Sequence, residues 1–215
     1  MIYLASQSPR RRQLLEQLGV AHQVLLPEDS EAAERLEEMH AGELPMAYVQ
    51  RVTRLKLEAA LRQARERGIA PAPILASDTT VAVARRILGK PTDAEDARRM
   101  LALLGGRTHR VLTAVALHDG RSSAMVVSVS RVRFAPLPPH VVDHYVASGE
   151  PFGKAGAYAI QGALAGWIEH IEGSYSGIMG LPLFETAHLL QRAGVALELT
   201  RGAVSSATGR RRRSA

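Results

Sequence analysis

The chain opens with MIYLASQSPRRR (Met1–Arg12), a stretch that predicts how the fold begins. Its first four residues are apolar and suit a short buried strand, and the polar residues after them suit a turn. Ser8 is a favoured N-cap residue, and Pro9 is favoured at the first position of a helix. We therefore predict a strand, a turn and a helix that ends near Gly19.

Three arginines, Arg10, Arg11 and Arg12, occupy the first turn of this helix. The helix macrodipole is positive at that end, so each cation costs roughly a few tenths of a kcal/mol. A bound anion would reverse this cost, because free backbone N–H groups and guanidinium groups both bind anions, and phosphate has a suitable geometry. The alternative is a capped helix whose arginines are solvated.

Strand and helix patterns alternate along the chain, which predicts an α/β fold. We favour two lobes around a cleft, with a mixed, twisted sheet as their common core and helices at its flanks. The elements predicted in the first half are a strand at Val20–Leu26, an acidic surface loop with a short helix at 27–43, a helix from Pro45 through Arg67 closed by Gly68, and a strand at Ile74–Val83. Those predicted in the second half are a helix that begins at a capping box in Thr92–Glu95 and ends at Gly105–Gly106, paired strands at Val111–Leu117 and Ala124–Phe134 around the Asp119–Gly120 turn, a helix at Pro138–Ala147, a helix from Leu183 closed by Gly194, and a strand at Ala196–Thr200.

The composition limits the class of protein. A chain of 215 residues suits one α/β domain, or two small lobes with a shared core, which we place at residues 1–200. No run of about 18 apolar residues occurs, so we expect no membrane partner, and no secretory leader is recognisable. The absence of cysteine excludes disulfides, thiolate metal sites and a thiol nucleophile. A cytoplasmic enzyme is the default expectation.

The net charge of +6 does not by itself indicate a nucleic-acid partner. Four arginines, Arg210–Arg213, lie in a segment rich in Ser, Gly and Ala, and we predict residues 201–215 to be a disordered basic tail. Without those four the chain carries about +2. Aromatic residues make up 4% of the chain, which leaves few side chains to stack on single-stranded nucleic acid. We therefore expect no nucleic-acid partner.

Asp78 is the sharpest candidate for chemistry, because it interrupts the apolar strand at Ile74–Val83. Burying an unpaired carboxylate is expensive, so Asp78 must pair with a cation or a metal, or lie at a cleft-facing strand end. A structural ion pair or a turn aspartate is the alternative.

Several cations are weaker candidates. Lys90 follows Leu88–Gly89 in an extended stretch that could aim its ammonium group across the Asp78 strand, although the surrounding residues are not a P-loop. Arg51 and Lys56 lie five residues apart on the long helix and so do not share one face by strict i,i+4 spacing. Each of these charges, taken alone, is more often solvated than a ligand.

The segment Gly153–Gly162 combines glycines with one cation, Lys154, and one amide, Gln161. An amide both donates and accepts hydrogen bonds, which suits recognition of a nucleobase edge. The alternative is that this segment is a strand between two turns with a polar residue at its end, which explains the spacing of the glycines equally well. The glycine-flanked loop Gly173–Gly177 offers hydroxyl and N–H groups to a ligand, or is simply flexible. The sequence contains no HExxH metal motif and no G-x-S-x-G nucleophile elbow.

Four groups of motifs, in this order, resemble the Maf family of nucleoside triphosphate pyrophosphatases over residues 1 to about 195. The motifs are Leu4–Arg11, Ala76–Thr80 with Leu88–Pro91, Thr108–Thr113, and Lys154–Gly162 with Gly173–Leu183. Gln7 stands where a small residue is commoner in the family, Gly105 stands where Ser is frequent, and the arginine tail is extra. None of these departures affects the proposed chemistry.

The resemblance implies a fold similar to Maf proteins and inosine triphosphatase, with a nucleotide-binding cleft between the lobes. It implies that Asp78 is the general base or a metal-linked carboxylate, with Mg²⁺ or Mn²⁺ as cofactor, and that the protein is a homodimer. The implied substrate-binding residues are Ser8, Arg10, Arg11, Lys56, Thr79, Lys90, Lys154 and Gln161. Arg10, Thr79 and Gln161 fall at the positions that set nucleotide preference.

The run Lys154–Gly162 is similar to the branch of the family that acts on dTTP and UTP. The expected reaction is metal-assisted hydrolysis of a nucleoside triphosphate to the monophosphate and pyrophosphate, as house-cleaning of the nucleotide pool. Two alternatives stay open at this point: a nucleotide-binding regulator of septum formation with weak or no catalysis, and the branch that acts on 7-methyl-GTP.

Overall fold

A mixed β-sheet lies at the centre of the fold. The computed structural model describes residues 1–27 and 30–200, and within them the sheet has seven strands. The strands are β1 (Ile2–Ala5), β2 (His22–Val24), β3 (Ile74–Val83), β4 (Arg86–Leu88), β5 (Thr108–His118), β6 (Ser123–Phe134) and β7 (Ile168–Glu172). Their order is β2-β1-β3-β5-β6-β7, with β4 paired to β3 beside this path. The first three in this order are parallel and the remaining pairs are antiparallel.

Helices cover both faces of the sheet. They are α1 (Pro9–Gln17), α2 (Ser30–Arg35), α3 (Pro45–Glu66), α4 (Ala94–Leu104), α5 (Pro139–Ala147), α6 (Tyr175–Met179) and α7 (Leu183–Arg192). Short 3₁₀ turns occur at Ala155–Ala157, Ala163–Trp167 and Glu198–Thr200. The predicted mixed sheet with flanking helices is confirmed. No helix in the described part of the chain is long and apolar enough to cross a membrane.

Alternating side chains of the inner strands divide the core into two layers. Ile74 and Ala76 of β3 pack with Leu57 and Ala60 of α3 on one face. Leu75, between them, packs on the other face with residues of α1 and α7. Fully burying one aliphatic side chain of this size stabilises the fold by about 1.5–3 kcal/mol. Successive residues of β3 therefore point to opposite helix layers, which decides where the polar residues after Ala76 point.

The N-cap residues predicted for two helices can be compared with those in the structure. Ser8 caps α1 as predicted, and its hydroxyl accepts a hydrogen bond from the Arg11 N–H at 3.4 Å. At α4 the predicted cap is wrong by one residue, because Asp93 rather than Thr92 is the N-cap. The Asp93 carboxylate accepts from the Asp96 N–H at 2.8 Å, and an ionised acceptor suits the positive helix end better than a hydroxyl.

Two strand predictions need correction, and two strands were not predicted. The strand predicted at Val20–Leu26 shortens to the three residues of β2, and the strand predicted at Ala196–Thr200 is wrong. Glu198–Thr200 form a 3₁₀ helix instead, and the Glu198 N–H donates to the Leu18 carbonyl beside α1. β4 and β7 were not predicted, because charged residues dilute the apolar alternation in both. The basic tail at 201–215 and residues 28–29 of the acidic loop lie outside the described residues.

Candidate active site

A gap in the sheet next to β3 creates the candidate site. β1 pairs with β3 only as far as Ala76, and β4 pairs with it from Val81 onward. Residues 77–80 therefore have no neighbouring strand on that side among the described residues. The loop that follows β1 and the start of α1 lie at the same opening, since parallel strands end at one edge of the sheet. Polar side chains at this position face a cleft rather than another strand.

Asp78 points toward the α3 layer and is 7% exposed. Its Oδ1 accepts a hydrogen bond from the Lys56 Nζ at 2.6 Å, and this ion pair supplies the cation that a buried carboxylate requires. Lys56 comes from the middle of α3. The same ammonium group also donates to Glu37 Oε1 at 2.7 Å. One lysine thus connects two carboxylates inside the cleft.

Glu37 continues this line of alternating charges. Its second oxygen, Oε2, accepts from the Lys90 Nζ at 2.7 Å, which completes the series Asp78–Lys56–Glu37–Lys90. Burial alone would raise the pKa of the Glu37 carboxyl, but the two ammonium groups outweigh burial and lower the pKa to about 2. The backbone carbonyl of Glu37 is held by the Tyr48 hydroxyl at 2.8 Å. Sequence reasoning missed this residue, because nothing local separates it from the neighbouring glutamates.

Arg11 is committed to structure on the other side of β3. Its Nε donates to the Gly180 carbonyl at 2.8 Å, its Nη1 to the Ser6 hydroxyl at 3.1 Å and its Nη2 to the Thr79 hydroxyl at 3.3 Å. Burial lowers the pKa of the Arg11 guanidinium, although nearby Asp78 opposes that shift. Arg11 therefore connects the walls of the cleft, which it also lines.

Arg10 and Arg12 differ from Arg11 in their surroundings. The Arg10 Nε donates to the Met179 carbonyl at 3.3 Å, and burial lowers the pKa of its guanidinium. Met179 and Gly180 lie at the carboxyl end of α6, where the helix dipole is negative, so cations at the start of α1 find favourable partners there. Arg12 is exposed, and the solvated alternative fits this arginine alone.

The glycine-rich segment Gly153–Gly162 lines the cleft and packs against β3. The Gly156 N–H donates to the Gly89 carbonyl at 2.9 Å, next to Lys90. Gly156 has φ +70°, and a Cβ atom there would lie 2.8 Å from a methyl carbon of Val81, so glycine is required. The segment turns in a 3₁₀ helix, which excludes the strand considered as an alternative. The close approach to Val81 holds Gly156, two residues after Lys154, against β3.

Lys154 and Gln161 keep polar groups available at the cleft. The Lys154 ammonium donates to the Glu150 carbonyl, and burial and the nearby Arg10 charge lower its pKa. Gln161 is exposed, and within the described part of the chain its amide forms no hydrogen bond. An amide without a protein partner is free to pair with a bound molecule.

All the predicted site residues line one cavity of about 750 Å³. They are Ser8, Arg10, Arg11, Lys56, Asp78, Thr79, Lys90, Lys154 and Gln161. Arg51 does not join them, because its guanidinium pairs with Glu43 at 2.7 Å outside this cavity. The volume lies within the range of small-molecule sites. The lining combines the charged residues Lys56, Asp78 and Lys90 with the apolar residues Ala159, Ile160 and Ile178.

The carboxylates of the cleft decide which metal the site suits. No group of three or more His, Asp or Glu side chains suited to a metal ion occurs in the part of the chain that the structure describes. Asp78 and Glu37 nevertheless face one cavity and share the Lys56 ammonium. Mg²⁺ is commonly bound by one or two carboxylates together with substrate phosphates and water. This donor set fits such an ion, but it does not form a closed metal cage.

The fold and the cleft together define a class of protein. The Maf-like protein family matches residues 1–193, and the chain belongs to this family. The chain is 62% identical to the dTTP/UTP pyrophosphatase of Polaromonas sp. (strain JS666) over 194 residues, which cover 90% of this chain and 96% of that protein. It is 60% identical to the dTTP/UTP pyrophosphatase of Albidiferax ferrireducens over 193 residues, again 90% and 96% of the two chains. Identity to the enzyme of that name from Cupriavidus metallidurans is 57% over 195 residues, 91% and 98% of the two chains.

Proposed function

We propose that this protein hydrolyses nucleoside 5′-triphosphates to the nucleoside monophosphate and pyrophosphate, with dTTP and UTP as favoured substrates. The observation that carries the proposal is the line of alternating charges Asp78–Lys56–Glu37–Lys90 inside a cleft of nucleotide size. The name shared by the relatives, dTTP/UTP pyrophosphatase, supports the same reaction and the same base preference. House-cleaning of the nucleotide pool is the corresponding role.

The cations of the cleft bind the triphosphate. Lys56, Lys90 and Lys154 provide ammonium groups, and Arg10 provides a guanidinium group at the start of α1. The Ser8 hydroxyl and the Arg10 N–H add neutral donors, since the N–H groups of Arg11 and Arg12 already donate to Ser8. Positive charge along the phosphates stabilises the negative charge that develops on the leaving pyrophosphate.

Asp78 activates the attacking water. The water oxygen attacks the α-phosphorus, the bond from that phosphorus to the bridging oxygen breaks, and the water proton passes to the Asp78 carboxylate. The bridging oxygen leaves with the β- and γ-phosphates as pyrophosphate. Glu37 is held ionised by its two lysines and stays a carboxylate throughout. The charge on Lys56 offsets the repulsion between the two carboxylates.

A divalent cation, Mg²⁺ or Mn²⁺, is the proposed cofactor, and Asp78 and Glu37 are the residues that would hold it. Both are oxygen ligands, and the substrate phosphates complete the set that such an ion prefers. When bound, the cation polarises the phosphoryl oxygens and helps to neutralise the triphosphate. Homodimer formation and a cytoplasmic location stay predictions from the sequence.

The test is a measurement of pyrophosphate release from dTTP, UTP, CTP, purine triphosphates and 7-methyl-GTP, each with Mg²⁺, with Mn²⁺ and with a chelator. We expect release from dTTP and UTP to be fastest and to stop in the chelator. If the protein binds nucleotides but releases pyrophosphate from none of them, the proposed enzymatic activity is wrong and a nucleotide-binding regulator is favoured. Faster cleavage of 7-methyl-GTP than of dTTP or UTP would overturn only the base preference.

A further inference from the structure

Thr113 lies in the middle of β5 directly opposite Thr79 of β3, and it is 1% exposed. Its hydroxyl contacts two oxygen atoms. The Thr113 Oγ1 lies 2.7 Å from the Gly177 carbonyl oxygen and 3.0 Å from the Thr79 Oγ1. A buried hydroxyl with two oxygen partners has a defined hydrogen-bond direction, because it carries a single proton.

That direction follows from the carbonyl. A carbonyl oxygen only accepts, so the Thr113 proton points to Gly177. The contact between the two hydroxyls is then a hydrogen bond only if Thr79 donates and Thr113 accepts. Thr79 also accepts from the Arg11 Nη2 at 3.3 Å. Its proton and one lone pair are therefore occupied, and one lone pair remains.

The remaining lone pair of Thr79 is available to the cavity. Thr79 lines the cleft together with Gln161 and the apolar residues Ile160 and Ile178, on the opposite face of β3 from Asp78. The charged residues from Asp78 to Lys90 suit phosphates, and the apolar side chains of Ile160 and Ile178 suit the faces of a base. A ligand group that meets Thr79 must donate a hydrogen bond, because two lone pairs repel each other.

We infer that Thr113 is a positioning residue for base selectivity, since it locks the Thr79 hydroxyl as an acceptor and so favours a pyrimidine that carries N3–H. This inference rests on the proposed function and names the atom that the site reads. Uracil and thymine have a proton on N3, whereas cytosine has a lone pair there. With cytosine, the Thr79 oxygen would face another acceptor in a partly buried site, and mismatches of this kind discriminate strongly.

The protein test uses Thr113→Val, Thr113→Ser and the control Thr186→Val. Valine keeps the shape of threonine but cannot orient Thr79, which becomes free to donate to cytosine N3. Serine retains the hydroxyl and should retain selectivity. Thr186 is fully buried in α7, and its hydroxyl has no hydrogen-bond partner among the described residues, so its replacement measures the cost of a buried Thr→Val change alone.

The readouts separate this inference from the proposed reaction. Calorimetry with the non-hydrolysable α,β-methylene analogues of UTP and CTP measures the ratio of their affinities without turnover. We expect Thr113→Val to reduce the preference for the UTP analogue by on the order of tenfold, while Thr113→Ser and Thr186→Val keep it within about threefold. An unchanged ratio in Thr113→Val overturns the inference. Failure of the unmodified protein to release pyrophosphate overturns only the reaction.

A ligand-side test needs no variant and so remains decisive if Thr113→Val does not fold. N3-methyl-UTP and C5-methyl-UTP each carry one added methyl group, but only the first loses the N3 proton. We expect the unmodified protein to bind N3-methyl-UTP at least about tenfold more weakly than C5-methyl-UTP in competition with the UTP analogue. Equal competition by the two methylated nucleotides would show that N3–H is not read.

Discussion

Asp78 shows how burial makes a single substitution informative. Asp78→Asn keeps the shape of the side chain but removes its basicity and its charge, while Lys56 retains Glu37 as a partner. We expect kcat for pyrophosphate release to fall by about 10²–10⁴-fold, the usual contribution of a general base. Calorimetry should show that nucleotide binding survives. Asp143→Asn is the control, because Asp143 is an exposed carboxylate that pairs with Arg98 away from the cleft. Activity of Asp78→Asn within about threefold of the unmodified protein would remove Asp78 from the mechanism.

The ion pairs of Glu37 with Lys56 and Lys90 should contribute to the free energy of unfolding. The pKa of Glu37 is lowered to about 2 in the folded protein from an ordinary value of 4.5, so the ionised form stabilises the fold above pH 4.5. This stabilisation is lost as the pH falls from 4.5 toward 2. Glu37→Gln should therefore reduce the free energy of unfolding by about 1–3 kcal/mol at pH 7, and the difference from the unmodified protein should shrink below pH 4.5.

Urea denaturation at a series of pH values measures this difference. Glu38→Gln is the matched control, because it makes the same chemical change at the next residue, which is exposed. A difference between Glu37→Gln and the unmodified protein that stays constant from pH 7 to pH 3 would contradict the coupling to Lys56 and Lys90.

The arginines in the first turn of α1 have different environments. Arg10 lines the cleft and Arg12 is exposed, although both belong to the first helical turn. We expect Arg10→Ala to raise KM for triphosphates by roughly tenfold, because it removes one charge-assisted contact to phosphate, and to weaken pyrophosphate inhibition in parallel. Arg12→Ala should leave both quantities unchanged. An equal KM for the two variants at low ionic strength would place Arg10 among the solvated arginines.

Local chemistry explains which elements the sequence could predict. Ser8 and Pro9 determine the start of α1 within a few residues of chain, so the prediction of that cap was correct. β3 was predicted because its apolar run is long enough to outweigh four polar residues. β4 and β7 are only three and five residues long and include charged side chains, so their pairing with β3 and β6 is decided by the tertiary fold.

The same reasoning explains what was missed in the site. Asp78 could be singled out because a carboxylate contrasts with its apolar neighbours. Glu37 could not, since its partners lie 19 and 53 residues away along the chain and its neighbours are also acidic. The role of Thr113 depends on which atoms face it across the sheet and from α6, and no spacing in the sequence contains that information.

At the scale of the whole molecule, the described residues that line the cleft all come from the first 180 residues, and the family match ends at residue 193. The arginine-rich residues 201–215 contribute no predicted site residue and contain few apolar side chains. We expect a chain that ends at Thr200 to keep the kcat and KM of the full chain within about twofold and its melting temperature nearly unchanged. Because the tail carries most of the net positive charge, its removal should instead weaken retention on a cation-exchange column. A large loss of activity or of melting temperature would show that the tail binds the folded part of the chain, and it would point to an acidic surface or partner that the cleft does not require.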